Sequence, residues 1–289
     1  MTTSAKIIAD SISEHGIRIT TMELCYPLII HGEFMTHRMF SRNAASNRAI
    51  PTNRIMEQVF KEPYIPTQWG KNKSGMQAVE ELTGDALREA IYAWERALED
   101  AGFWASKLND AGLHKQIANR VLMPYQYIKV IVTATEWDNF FKLRLHPDAQ
   151  PEIQELARCM KEAIDSSTPK LLKTGDWHLP YVNIDEHRHY DCGTEYSTLE
   201  VIKCSIARCA RVSYLNHDNE NPDIDKDIAP ADRLLEAGHM SPFEHQATPM
   251  DFAKDTYELT WEKGVTHRDR KDNLWSANFR GWIQYRQLI

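Results

Sequence analysis

The sequence predicts a mixed fold in which a helix-rich middle is combined with extended strand segments. Three observations point there. Apolar residues recur at helical spacing between Asp85 and Leu108 and again between Pro151 and Ile164, and the chain reads as extended from Arg18 to Ile30.

Taken in order, Ile7, Ile8 and Ile12 fit one helical face and predict a short helix over 5–13. From Arg18 to Ile30, Ile19, Met22 and Leu24 and then Pro27-Leu-Ile-Ile form two extended runs. His37 to Arg48 is polar and ends at Pro51, and 61–75 is a Pro-, Gly- and Lys-rich surface loop. Ala86, Leu87, Ala90, Ile91, Trp94, Leu98 and Ala101 form the apolar stripe of a long amphipathic helix. A second helix is predicted over Leu113 to Leu122, stopped near Pro124. Helical character continues through Trp137 to Arg144 and Pro151 to Ile164. Residues 165–195 are irregular, Leu199 to Tyr214 is regular again, and Asn216 to Pro230 is an acidic loop. A short helix over Ala231 to Ala237 ends at Gly238. No repeat of solenoid length is visible.

Bulk properties narrow the class. With 289 residues, 42% hydrophobic and 26% charged, the chain can bury a sizeable core. A net charge of -7 argues against a general nucleic-acid binder but permits a local basic pocket. Cys25, Cys159, Cys192, Cys204 and Cys209 form no CxxC pair, which fits a reduced protein better than a disulfide framework. The first residues lack the apolar run of a secretion signal, and the longest apolar stretch, around Val130 to Val132, is far too short for a bilayer. A cytoplasmic protein without membrane or nucleic-acid partners is expected.

Three segments carry chemistry. In His37-Arg-Met-Phe-Ser-Arg-Asn-Ala-Ala-Ser-Asn-Arg48, three arginines, two serines, two asparagines and a histidine offer a phosphate-type cradle. A solvated polar helix face explains the same letters. Gly238-His-Met-Ser-Pro-Phe-Glu-His245 forms a compact polar turn, or equally a helix stop followed by a new start at Ser241 and Pro242. The third comprises Asn119-Arg120-Val-Leu, then Thr133 to Arg144, then Asp148 to Ile153. Its plain alternative is a core helix that buries Trp137, Phe140, Phe141 and Leu143 and exposes Arg144.

Together these blocks resemble the flavin-dependent thymidylate synthases, the ThyX family. Thr36-His-Arg38, Ser41, Asn43, Ser46 and Arg48 follow the family's Arg-His-Arg, Ser, Asn, Ser-x-Arg signature, with threonine in place of the first arginine. Ala210-Arg-Val-Ser and Gly238 to His245 resemble two further family segments, as do Asn139 to Arg144 and Ala149 to Ile153. In ordinary members the Gly-His block precedes the Arg-His-Arg block, so this order resembles a circular permutation. Arg280-Gly-Trp-Ile-Gln-Tyr-Arg286 echoes the strand that leads into Arg-His-Arg, and the tail is expected to complete the site at Thr36.

The resemblance implies an α+β fold with a helical core and an antiparallel sheet. It implies one catalytic domain over 1–289, with 165–198 as an irregular connecting segment, in a homotetramer with active sites shared between subunits. It further implies methylation of dUMP to dTMP with FAD, NADPH and methylenetetrahydrofolate. Ser46, Arg48, Asn43, Arg120 and Arg144 would bind the nucleotide, with Arg144 against the pyrimidine ring, where positive charge stabilises an anion. His37, Arg38, His239, Ser241, Glu244, Asn139 and Arg286 would contact the flavin. Ser46 is a conceivable nucleophile, yet no base stands beside it in sequence, so a binding role is preferred.

Thr36 and Ala44, the latter in place of a family glutamate, point to two alternatives. One is a related C5 modification such as hydroxymethylation of a pyrimidine deoxynucleotide; the other is a non-catalytic flavin or nucleotide binder. Trp177-His178 and Asp185 to Cys192, with His187 and His189, could suit zinc, but no second ligand cluster accompanies them. A solvated loop is the preferred reading, and no metal is expected.

Overall fold

The computed structural model describes residues 1–75, 78, 80–182, 196–213, 224–252 and 261–289. Its centre is a five-stranded sheet in the order β3-β4-β2-β1-β5. The strands are β1 (Ser4–Ser13), β2 (Arg18–Pro27), β3 (Ser41–Ala44), β4 (Tyr127–Ala134) and β5 (Lys170–Leu172). All neighbours run antiparallel except β1 and β5, which are parallel.

β1 replaces the helix expected over 5–13. Its β-branched isoleucines suit a pleated surface, and the segment pairs with β2 from Ser4↔Cys25 to Ile12↔Arg18. Gly16, at φ 76°, turns the hairpin, where Ser13 N donates to Ile17 O at 3.0 Å and Gly16 N to Ser13 O at 2.9 Å. A register shift between Ile7 and Ala9 breaks the alternation that would have marked the strand. The two extended runs expected over 18–30 are one strand followed by a 3-10 turn, Leu28–Ile30.

Both faces of β4 are covered, which accounts for its near-continuous apolar sequence YIKVIVTA. Ile128, Val130, Val132 and Ala134 join Met22, Leu24 and Tyr26 in the principal core. Helix α6 (Pro151–Ser166) closes that face with Ile153, Leu156, Ala157 and Met160. Alternate residues point the other way, where Ile131 meets Cys209 and Val212.

The helices α2 (Thr52–Lys61) and α3 (Gly84–Asp110) pack together around Ile55, Val59, Leu98 and Ala105. The second predicted helix is shorter than expected: α4 spans Lys115–Ala118 and passes into a 3-10 segment, Asn119–Tyr125, that holds Pro124. α7 (Thr198–Ala210) starts at a capping box: Ser197 N donates to Glu200 Oε2 at 2.7 Å and Glu200 N to Ser197 Oγ at 3.4 Å. α8 (Ile224–Glu236) extends further towards the N-terminus than the helix expected over 231–237 and takes in Pro230 from the expected acidic loop. Asp227 on α8 is fully buried and binds Arg208 Nε at 2.9 Å and the Arg211 guanidinium, tying the two helices together.

Towards the C-terminus β6 (Ala247–Pro249) pairs with β10 (Trp282–Gln284). A second small sheet joins β7 (His267–Arg268), β8 (Leu274–Ser276) and β9 (Phe279–Arg280). Trp282, fully buried, sits with Ile19, Leu172, Ala247 and Phe279 against the main sheet.

A buried polar seam joins this layer to the sheet. Ser11 Oγ meets His178 Nδ1 at 2.9 Å, and His178 Nε2 meets Thr21 Oγ1 at 2.8 Å. Thr21 Oγ1 lies 2.7 Å from Thr133 Oγ1, which lies 2.8 Å from His245 Nδ1. Burial lowers the pKa of both histidines to about 3, so they are neutral in the native protein. An unfolded histidine titrates near 6.5, so at lower pH the unfolded chain binds more protons and folding weakens. Urea melts recorded against pH are expected to show histidine-linked stability intact above pH 6.5 and lost progressively towards pH 3. His178→Gln should remove about one proton from that linkage.

Candidate active site

α1 (His31–Phe34) is a single helical turn that leads directly into Thr36, His37 and Arg38. The Arg42 guanidinium, from β3, holds this turn: its Nη1 faces the carbonyls of Phe34, Met35 and His37 at 3.3, 3.0 and 3.1 Å. Phe40, Phe34 and Phe140 pack beneath it, with ring centroids 5.4 to 5.9 Å apart. The short helix α5 (Asp138–Arg144) forms the opposite wall.

Between them lies an open cleft of about 820 Å³, lined by Thr36, His37, Arg38, Asn139, Phe140 and Arg144 among others. Arg144 Nε donates to His37 Nε2 at 2.9 Å, while its Nη1 pairs with the Glu33 carboxylate. Accepting that bond requires a neutral imidazole. The His37 pKa is lowered to about 4, first by burial and then by the Arg144 and Arg42 charges. Arg144 is half-buried whereas Leu143 is 49% exposed, so the plain core-helix alternative fails at both positions. Asn139 and Arg144 both line this cleft although a spacing of five turns them about 140° apart on a helix, and α5 ends at Arg144.

The block at 238–245 reaches the same sheet edge. Gly238, at φ 72°, ends α8 in a Schellman motif, with Gly238 N donating to Leu235 O at 3.0 Å and His239 N to Leu234 O at 2.9 Å. The following 3-10 turn, Ser241–Glu244, lies against β3. Ser241 Oγ donates to Asn43 Oδ1 at 3.3 Å, and Asn43 Nδ2 to Cys209 O at 2.7 Å. Glu244 pairs with Arg286, and burial raises its carboxyl pKa against the lowering influence of Arg286 and Arg42. Gln284 Nε2 ties the group together, within 3.1 Å of Ser41 Oγ and 3.2 Å of Glu244 O. The stretches near residues 40 and 240 are therefore in direct contact.

Of the other sequence-predicted residues, Ser46, Arg48, Arg120, His239 and Arg286 lie outside the cleft lining. Ser46 Oγ accepts from Arg48 N at 3.3 Å, and Arg48 is exposed. Asn119 Nδ2 holds the carbonyls of Asn47 and Ile50 at 2.7 and 3.0 Å, which places exposed Arg120 on the segment adjoining Arg48. His239 is exposed. Thr36 Oγ1 donates to Glu33 O at 2.7 Å, and Arg286 is engaged by Glu244. His187 and His189 lie outside the described residues, among which no group of three or more His, Cys, Asp or Glu could hold a metal. Glu33 and Gln284 were not singled out by the sequence reading: Glu33 lies just before one motif and Gln284 within the Arg280–Arg286 echo, but only the folded chain turns their side chains towards the site.

A family model described as thymidylate synthase complementing protein matches residues 10–170, and the chain belongs to that family. The match starts within β1, stops at the first residue of β5 and ends well before the 238–245 block. A flavin-dependent thymidylate synthase from Aquifex aeolicus is 28% identical over 140 residues, 48% of this chain and 43% of that one. Another from Thermus thermophilus is 28% identical over 157 residues, 53% and 54% of the two chains. The chain thus spans about half the length of the curated relatives it matches. The solved UMP/dUMP methylase PolB from Streptomyces cacaoi, bound with 5-Br dUMP, superposes with a TM-score of 0.46. It is 19% identical, over 56% of this chain and 89% of that chain. No helix among the described residues is long and apolar enough to cross a membrane.

Two outcomes test this geometry. Gly238→Ala should cost about 1–2 kcal/mol in a denaturant melt, because alanine resists the left-handed conformation. Arg144→Gln should raise the His37 pKa, read by NMR titration of the imidazole, since a repelling cation is removed.

Proposed function

We propose that this chain is a flavin-dependent methyltransferase that converts dUMP to dTMP, using methylenetetrahydrofolate as carbon donor and NADPH as reductant. The observation that carries the reading is the cleft that gathers His37, Arg38, Asn139 and Arg144 beside the contact between the 41–44 and 241–244 segments.

The lining suits a flavin ring. Phe140, Phe40, Met39 and Leu143 supply apolar contact, while Asn139, Arg38 and Arg144 supply polar and cationic groups at the rim. A bound flavin would supply hydride for reducing the transferred carbon. Arg144, braced by His37 and Glu33, presents a fixed positive charge where a pyrimidine gains electron density as C5 attacks. Neutral His37 orients that guanidinium without competing for the anion. Arg48 and Arg120 offer exposed cations to the nucleotide phosphate, with Ser46 and Asn43 as hydrogen-bonding partners. Ser46 acts in binding, since its hydroxyl caps its own turn and no base adjoins it.

The phosphate-binding group lies outside the cleft lining, so closing both around one nucleotide calls for a homotetramer with shared sites. The 238–245 block, completing the site from the C-terminal part, is read as a circular permutation. The cytoplasm and a single domain over 1–289 complete the reading.

One observation favours a second reaction at the same site. Thr36 spends its hydroxyl on Glu33 O and offers no cation, which alters the pocket beside Arg144. Hydroxymethylation at C5 of a pyrimidine deoxynucleotide is the alternative outcome.

The purified protein should be yellow and should oxidise NADPH faster when dUMP is added. Mass analysis of the product from labelled methylenetetrahydrofolate separates methylation from hydroxymethylation, and a colourless protein that takes up no FAD rejects both. Arg48→Ala is expected to weaken dUMP binding at least tenfold with FAD retained. Arg144→Ala should cut kcat by about 100-fold or more with little change in the melting temperature.

A further inference from the structure

β3 ends at Ala44, and the next residue still holds to β4, where Ala45 N donates to Lys129 O at 2.9 Å. α2 does not begin until Thr52. The turn between them, residues 46–50, carries Ser46 and Arg48 and closes on itself through Ala49 N, which donates to Ser46 O at 2.9 Å. A bond inside a turn shapes it but does not fix where it sits on the molecule.

Three side chains from the 115–126 segment supply that placement. Asn119 Nδ2 donates to Asn47 O at 2.7 Å and to Ile50 O at 3.0 Å, which brackets the turn at both ends. Gln126 Oε1 accepts from Asn47 Nδ2 at 2.7 Å, while Gln126 Nε2 donates to Asn119 O at 3.4 Å. Lys115 Nζ donates to Ala49 O at 2.8 Å. Asn119 is the hub of this group. It is fully buried, and its Oδ1 has no partner among the described residues. An interior acceptor left unpaired weakens folding. What this amide contributes is therefore its two hydrogens, and both go to the turn.

The same residue fixes a second cation. Arg120 follows it directly, and Arg120 Nε donates to Gln116 O at 3.2 Å, which anchors the stem of the guanidinium. Arg48 and Arg120 are both exposed, and neither has an ion-pair partner among the described residues. Two like charges repel, so their separation is set by the backbones that carry them. Cations on two separate segments grip one phosphate only while that separation holds, because fork geometry tolerates little drift.

We propose that Asn119 is a positioning residue for recognition of the nucleotide phosphate. By holding the carbonyls of Asn47 and Ile50 it sets Arg48 against Arg120, and Gln126 locks the same arrangement through Asn47. The inference rests on the proposed assignment of Arg48 and Arg120 to the phosphate, and it is independent of the flavin.

Calorimetric titration of the full-length protein with dUMP is the test, carried out on wild type, Asn119→Ala, Arg48→Ala and the double variant. Wild-type affinity should fall as salt rises, and Asn119→Ala should flatten that dependence as Arg48→Ala does, which a merely structural loss would not do. Asn119→Ala should bind dUMP at least fivefold more weakly. The double variant should bind no more than twofold more weakly than Arg48→Ala alone, since the amide acts through that arginine. If Asn119→Ala does not fold, the half-buried Asn47→Ala decides by the same criteria. A loss below fivefold, an unchanged salt dependence, or losses that multiply in the double variant overturn the inference while an effect of Arg48→Ala leaves the phosphate reading standing. A wild type that binds no dUMP, or an Arg48→Ala variant that binds it unchanged, overturns the phosphate reading and the inference with it.

Discussion

The register of β2 against β4 is the constraint from which the other features follow. Thr21 faces Thr133 and Met22 faces Val132, so one side of the pair is apolar and the other carries hydroxyls. A slip of one residue would exchange the two sides, burying threonines among Leu156 and Met160 and turning valines towards His178 and His245. The register also fixes the ends of the strands. β4 runs out at Ala134, four residues before α5, and β3 pairs along the outer edge of β4 from Ser41↔Thr133 to Ala44↔Val130. The cleft is therefore the gap between two segments whose positions β4 sets, and Arg144 can reach His37 because both are measured from the same strand.

Charge is arranged locally rather than globally. An acidic chain places cations around two clefts, the one walled by α5 and another at the β7–β8 turn, and two of the nearby carboxylates are paired with them: Glu33 with Arg144 and Glu136 with Arg280. The cations differ in turn. Arg144 and Arg42 are half-buried and held by protein acceptors, which fixes their direction, whereas Arg38, Arg48 and Arg270 are exposed. Fixed guanidiniums suit a developing charge on a ring; exposed ones suit a phosphate that arrives with its own hydration.

The sequence was most readable where a single period dominated. The long stripe from Ala86 to Ala101 lies within α3, Gly84–Asp110, and the stretch from Pro151 agrees with α6 to within two residues. β1 was misread because three isoleucines satisfy a helical wheel and a bulged strand equally well, and pairing with a distant partner decides between them. β4 went unassigned because burial on both faces erases alternation. The antiparallel sheet implied by the family likeness holds for four of its strands, with β5 added in parallel at the far edge. In the candidate site, the motif residues were visible from their letters, and the meeting of the 40s with the 240s was anticipated. Glu33, the counter-ion of Arg144, was not, because a charge pair 111 residues apart in sequence leaves no local trace.

The chain of side chains from Ser11 to His245 fixes a tautomer. Two neutral imidazoles and three hydroxyls carry five hydrogens, and the four contacts use four of them. If the spare hydrogen sits on His245, it is a buried N–H at Nε2; if it sits on any of the three hydroxyls, Nε2 is a bare lone pair. Nε2 has no partner among the described residues, and a stranded N–H is the rarer condition in folded proteins, so His245 carries its hydrogen on Nδ1 and donates to Thr133. Thr133 must then turn its own hydrogen away from the turn at residue 245, which hands that assignment on to the strands.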